Sequence, residues 1–388
     1  MRIGVIGTGV AGSLFVAAAK SVPGITLKAF DRIPPNNREE AGTGLNIGPN
    51  ALKAMRLHGG LSLDALRAVS LPWRRWVIAL TNGTKIVDLD LLDVAEEPGL
   101  RIRWSHLYRV LRATSASSTL YGRSLEALEQ DSHGSLVPVF REPSGSLVRE
   151  GAFDLLVAAD GRYSRLRELI DGVPRSIYPG IGTWRMLVRD AHSTPIDDYG
   201  QYFCGNARLL SFQLPDNCVY VAGSFPLEGT GSVPDYMKTA RAQRRFFQPK
   251  DGAACAEVEW MLNMLDRHID DMNWARTQEI ETLHHALGGR VLLLGDAAHA
   301  MFQTLGQGAT QAIEDALVAA AVLRDSPSPL RICTEYEARR RDRIEFAKHL
   351  TREATDTLLP GGDPVAGSIA KGQEPFLAKL RKLYVDVA

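Results

Sequence analysis

The opening stretch, RIGVIGTGVAG at residues 2–12, leaves this chain few ways to fold. An apolar run enters Gly7-Thr8-Gly9-Val10-Ala11-Gly12, and apolar, alanine-rich residues continue to about Lys20, which predicts a strand, a tight turn and a helix. The glycines permit the turn and let the helix N-terminus come close to an anion. A second strand, Ile25 to Phe30, ends in Asp31-Arg32, with the acid 19 positions beyond Gly12. This order is the βαβ dinucleotide fingerprint. Gly7, Gly9, Val10, Ala11 and Gly12 are therefore candidates for the diphosphate turn, and Asp31 and Arg32 for the ribose. An acid at that point suits an unphosphorylated ribose, as in FAD or NAD.

A second constraint is VLLLGDAAHAMFQTLGQGATQAIEDA, residues 291–316. Four apolar residues, Val291 to Leu294, predict a strand buried on both faces, as in a parallel sheet covered by helices. Asp296 then stands at the strand's carboxyl end, where open α/β sheets bind ligands, and a loop follows. Gly306, Gln307, Gly308 and Ala309 open the next helix, with backbone NH groups aimed at a ligand carrying partial negative charge.

Between these stretches the pattern is mixed. Residues 41–50, AGTGLNIGPN, form a glycine-rich loop containing Gly44 and Asn46 and leading into a helix from Ala51 to Leu57, with Asn50 as a plausible N-cap. Residues 73–92 predict a hairpin around Asn82-Gly83. A helix follows from Ser105, after Arg101 and Arg103. The run Asp154 to Ala159 predicts a strand, and Asp160-Gly161 follows it, readable as a tight turn or as a ligand contact. Strands at 183–188, 208–214 and 218–225 make residues 178–274 a β layer suited to covering a ligand. The charges at 336–343, YEARRRDR, are most simply a solvated helix face.

Lys plus Arg and Asp plus Glu are 45 each, so neither nucleic acid nor an anionic membrane is suggested as a partner. The four cysteines show no CxxC spacing, which argues against a metal site or a disulfide framework and for free thiols in the cytoplasm. Neither a membrane span nor a signal peptide is expected, since no apolar run reaches spanning length and the first strand is predicted to begin at Arg2 or Ile3.

Taken together, GxGxxG at 7–12, Asp160-Gly161 with Ser164 and Arg167, and Gly295-Asp296-Ala297-Ala298-His299 with Gly306-Gln307-Gly308 and Glu314-Asp315-Ala316 resemble a family. The family is the single-component, class A FAD-dependent aromatic hydroxylases, with the para-hydroxybenzoate hydroxylase-like fold. The resemblance implies an α/β chain whose Rossmann-like FAD-binding domain is discontinuous (1–72, 97–176 and 275–325), with an inserted β-sheet substrate domain (73–96 and 177–274) and C-terminal helices (326–388). It implies that Asp160 supports FAD and a transient NADH or NADPH, that Asp296 bonds the ribityl chain, and that Gly306 to Ala309 meet the pyrimidine edge of the flavin. Gly44 belongs with the cofactor contacts. Where the family has an arginine this chain has Trp104, so Arg103 or Arg101 is expected to replace that contact. Ala300 and Gln303 stand where the family has prolines, so the oxygen-transfer side is expected to be reshaped at Gln303.

The resemblance further implies an NAD(P)H-dependent FAD monooxygenase that uses O2, through a flavin 4a-hydroperoxide, to hydroxylate a small hydroxylated aromatic or N-heteroaromatic compound, with a carboxylic acid one option. GLNIGPNALKAM resembles a loop of hydroxynicotinate hydroxylases. Candidates for holding or activating substrate are Asn46, Arg185, Tyr202, His192, His299 and Gln303. Arg185 reads equally as a carboxylate partner or as a structural ion pair. Alternatives are a flavin epoxidase or tailoring oxygenase acting on a larger polycyclic or terpenoid substrate, and a non-catalytic dinucleotide sensor. A monomer or homodimer is expected.

Overall fold

A computed structural model gives the structure, and it describes residues 1–34, 44–249, 251–326 and 328–387. The part of the expected glycine-rich loop at Ala41 to Thr43 lies outside the described residues.

The first apolar run forms the strand Arg2–Ile6, whose last four residues are buried. It pairs in parallel with Thr26–Asp31 on one side and Leu155–Ala158 on the other. Val291–Leu293 extends the sheet in parallel, Thr119–Tyr121 closes one edge in parallel, and His285–Ala286 closes the other antiparallel. Strands this apolar must be covered on both faces. On one face lie the helices Val10–Ala19 and Gln307–Asp325, packed on each other, the second also on Pro49–His58. On the other, Phe30 stacks on Phe140 with ring centroids 4.4 Å apart, beneath a meander of Ser124–Gln130, Leu136–Arg141 and Leu147–Arg149. Each fully buried side chain of this size contributes about 1.5–3 kcal/mol.

A second sheet runs in the order Asn273–Arg276, Ile181–Val188, Cys218–Pro226, Ala207–Leu214, Tyr199–Cys204, Arg75–Leu80, Lys85–Asp90. The hairpin at 75–90 joins it through a parallel pairing of Arg75–Leu80 with Tyr199–Cys204. Alternation sends Trp184, Met186, Leu209, Val221 and Phe225 to one face, under the helices Ala240–Phe247 and Ala256–His268. The opposite face carries Leu210, Phe212 and Leu214 and meets the C-terminal helices Pro329–Thr355 and Glu374–Val385. A small sheet of Gly44–Ile47, Gly99–Arg103 and Ser70–Trp73 connects the two larger ones.

Three local expectations are corrected. After Gly295 the chain forms a short helix, Asp296–His299, rather than a loop. The N-cap of Pro49–His58 is Gly48, not Asn50, because Pro49 occupies the first helical position, where its fixed φ is suited and its missing NH costs nothing. Asn50 instead donates from Nδ2 to Glu314 Oε1 (2.5 Å) and Gln307 Oε1 (3.2 Å). The 336–343 run is not simply solvated: Tyr336 and Arg340 are completely buried at helical spacing, and Arg343 donates to Glu314. Among the described residues no helix is long and apolar enough to cross a membrane, no group of side chains could hold a metal ion, and no disulfide joins the cysteines.

Candidate active site

A cavity of about 1610 Å³ lies at the carboxyl ends of the central strands. Its floor is the first turn. Gly7 has φ +90°, and a Cβ there would sit 2.6 Å from Ala159 O; a Cβ on Gly12 would sit 1.9 Å from Gly7 O. A Cβ on Gly9 would meet nothing within 4 Å, so this glycine faces open space. Gly7, Gly9, Val10 and Ala11 line the cavity. At one end Asp31 Oδ2 accepts from Thr8 N (2.9 Å) and Thr8 Oγ1 (2.6 Å), and Oδ1 accepts from Ile33 N (2.8 Å). The acid therefore also pins the turn that it follows. The cationic lining, Arg32, Arg103, Arg109, Arg112, Arg123 and Arg165, exceeds the acidic lining, which suits a diphosphate.

The opposite wall brings the other two motifs together. Asp160 accepts from Ser164 Oγ (2.5 Å) and Leu166 N (3.2 Å), and burial pushes its carboxyl upward. Ser164 caps the helix Arg165–Asp171. From that helix Arg167 donates to Ala297 O (3.1 Å), Ala298 O (3.0 Å) and Glu281 O (2.8 Å), fixing the short helix that begins at Asp296. Asp296 faces the cavity, beside Gly308 and Ala309. Gly306 turns the chain with φ +64°, and its NH donates to Gln303 O at 3.0 Å.

Beyond this turn lies the inner face of the second sheet. Tyr199, Phe212 and Tyr220 form a ladder across three strands, with centroids 5.8 and 4.7 Å apart. Thr304 and Leu305 meet Trp73, Trp76, Tyr199 and Tyr384 around a void of about 10 Å³. On the same face Arg208 is 6% exposed; Nη2 reaches Ser224 Oγ at 3.4 Å, while Nε and Nη1 have no hydrogen-bond partner among the described residues. Burial pulls its pKa down, against the Tyr199 and Tyr220 phenols. Asn46 is 8% exposed, and neither Nδ2 nor Oδ1 has a partner among the described residues.

A family model described as an FAD binding domain matches residues 79–351. The chain belongs to this family. It is a class A FAD-dependent monooxygenase of the aromatic-hydroxylase kind. It is 28% identical over 351 residues to the FAD-dependent urate hydroxylase of Klebsiella pneumoniae, covering 89% of this chain and 87% of the relative. To the 6-hydroxynicotinate 3-monooxygenase of Bordetella bronchiseptica it is 26% identical, covering 90% of each chain. The fold is shared with Klebsiella pneumoniae HpxO complexed with FAD and uric acid, at a TM-score of 0.82 and 24% identity, covering 100% of this chain and 97% of that one.

The residues present fit FAD. The flavoprotein has an open approach at Gly9, a basic diphosphate lining, and an Asp296 carboxylate at the cavity wall without a hydrogen-bond or ion-pair partner among the described residues. Gly7, Gly9, Val10, Ala11, Asp31, Arg32, Arg103, Asp160, Asp296, Gly308 and Ala309 line one cavity. Four other expected contacts do not. Gly12 packs under Gly7, Gly44 packs against Phe212, Leu214 and Tyr220 while Leu45 takes the wall, Gly306 shapes the turn, and Gln307 is buried with Asn50 and Gln311.

The substrate-side candidates separate further. Arg185 shares the inner face of the sheet, its register partner being Ala222 in the strand that carries Tyr220. Tyr202 does not: strand alternation turns it into the core beneath the outer helices, beside Cys255 and Glu257, and burial pushes its phenol up. His192 is exposed in a turn, and Gln303 is exposed. His299 is buried, with Nε2 on Asp315 Oδ2 at 2.6 Å. Arg101 is bound to Pro72 O (3.0 Å) and Asp197 O (2.5 Å), whereas Arg103 lines the cavity and pairs with Asp216 at 2.9 Å. Arg208 was missed by the sequence reading. Its signal was parity: among 208, 210, 212 and 214 it is the one charged residue.

Proposed function

We propose that this flavoprotein hydroxylates a small aromatic or N-heteroaromatic acid, taking electrons from NADH or NADPH and oxygen from O2. The observation that carries the reading is Arg208. A guanidinium 6% exposed, with two nitrogens unpaired and no carboxylate within ion-pair distance among the described residues, bears a desolvation cost of several kcal/mol that a bound anion would offset. Its fork geometry matches a carboxylate or a similarly delocalised ring anion. The named relatives act on urate and 6-hydroxynicotinate, both small heteroaromatics, in keeping with this class.

Bound FAD supplies the electron transfer and the activation of oxygen. In this reading the chain does the rest. Asp296 and the NH groups opening the helix Gln307–Asp325 would hold the cofactor, the latter favouring negative charge on it. Arg208 orients the ring acid from the sheet face that also carries Arg185, and the Tyr199–Phe212–Tyr220 ladder keeps water from the reacting atoms. The division into an FAD-binding domain (1–72, 97–176, 275–325), a substrate domain (73–96, 177–274) and C-terminal helices (326–388) belongs to this reading, as does a cytoplasmic monomer or homodimer.

The test is Arg208→Gln in FAD-loaded enzyme. KM for the acid substrate should rise at least about thirtyfold, the order expected for losing a charge-assisted hydrogen bond, with FAD content unchanged. An unchanged KM would remove Arg208 from the site.

A further inference from the structure

We propose that Asn46 is a specificity-determining residue that reads a cyclic amide, the adjacent ring NH and C=O of an N-heteroaromatic substrate. The inference rests on the reading in which Arg208 holds that substrate's acid group.

The geometry starts from the strand Gly44–Ile47. A Cβ on Gly44 would lie 2.7 Å from Leu214 Cδ1 and 3.0 Å from Phe212 Cε2 and Tyr220 Cβ, so this face of the strand looks onto the aromatic ladder. Alternation puts Asn46 on the same face and Leu45 on the other. Accordingly Leu45 lines the FAD cavity and Asn46 does not. Asn46 Cβ is 3.7 Å from the point where a Cβ on Gly306 would stand, which sets the amide between the inner face of the sheet and the turn that begins the Gln307–Asp325 helix.

An asparagine offers an acceptor and a two-hydrogen donor side by side. Both are buried here without partners among the described residues, where an aliphatic side chain of similar size would avoid the desolvation cost. One ligand edge satisfies both at once: a ring NH next to a C=O, which accepts from Nδ2 and donates to Oδ1 in a cyclic pair. A phenol of the same outline has a single oxygen to offer and leaves one end of the amide poorly paired. Sites that hydrogen-bond a substrate NH discriminate strongly against the analogue lacking it.

The experiment is titration of FAD-loaded enzyme by the flavin absorbance change with two acids of the same shape, 6-hydroxynicotinate, which presents the ring amide, and 4-hydroxybenzoate, which does not. Wild type should bind the first at least about tenfold more tightly, and in Asn46→Leu the ratio should fall to about one with FAD content retained. Asn46→Ala serves as the second variant if the leucine variant loads no FAD. A ratio near one in wild type, a ratio that survives in Asn46→Leu, or loss of FAD from both variants would overturn the proposal, the last by assigning Asn46 to the cofactor. Arg208→Gln, titrated alongside, should weaken both acids equally. If it weakens neither while the Asn46 ratio still collapses, the acid reading falls and the amide reading stands. No spectral response of wild type to either acid overturns both.

Discussion

Arg340 Nε donates to Asp315 Oδ1 at 2.8 Å, and both side chains are fully buried. The same guanidinium donates to Glu314 Oε2 and Gln311 Oε1, both at 2.6 Å. Asp315 Oδ2 in turn accepts from Gly295 N (2.8 Å), the residue before Asp296, and Gln311 Nε2 donates to Gln307 Oε1 (2.9 Å) at the start of the helix. A residue outside the cavity lining therefore ties together both segments that reach it.

Arg340→Met should accordingly leave two buried carboxylates short of a partner. The expected loss is about 3–5 kcal/mol in denaturant unfolding of the FAD-loaded protein, because removing one member of a buried ion pair strands the other. FAD release should become easier in the same variant. A change below about 1 kcal/mol, the size of an exposed pair, would contradict the assignment.

Acid sensitivity should have a defined origin. Burial lowers the His284 pKa to about 4, with His299 adding to the shift against Asp315 and Glu337, and neither ring nitrogen has a partner among the described residues. In the unfolded chain the value is about 6.5. Because the folded value is the lower one, the unfolded state binds more protons between these limits. Stability is complete above pH about 6.5 and falls by on the order of 3 kcal/mol as pH drops to about 4. Asp315, lowered by His299 and Arg340 despite its burial, adds a further loss only below about pH 4. In His284→Leu the slope of unfolding free energy from pH 6.5 to 4 should flatten; an unchanged slope would assign it elsewhere.

The glycines of the first turn should not be equivalent. A methyl on Gly12 would overlap Gly7 O, so Gly12→Ala should destabilise the apoprotein itself. A methyl on Gly9 projects into open space, so Gly9→Ala should melt like wild type without cofactor and bind FAD more weakly. Thermal unfolding of the two apoproteins, with FAD titration, separates these outcomes.

Much of this was legible in sequence because it is local. Gly7 to Gly12, Asp31 and Val291 to Leu294 sit in patterns whose meaning depends on residues a few positions away, and the elements they predicted are present. The inner face of the second sheet was less legible. Tyr202 and Arg208 lie in strands buried on both faces, where hydropathy alone does not say which parity looks inward. The buried stripe of Tyr336, Arg340, Ile344 and Ala347 was hidden by the charges around it, since the acids that pair with Arg340 belong to another helix.

The most direct test of the account is oxygen uptake by the purified yellow protein with NADH or NADPH, screened across hydroxybenzoate and hydroxypyridine carboxylic acids, with mass analysis of the product. At least one acid should accelerate NAD(P)H oxidation and emerge carrying one added oxygen derived from O2, and Arg208→Gln should lose that acceleration. NAD(P)H oxidation that no ring acid stimulates, with all the oxygen recovered as peroxide, would contradict it.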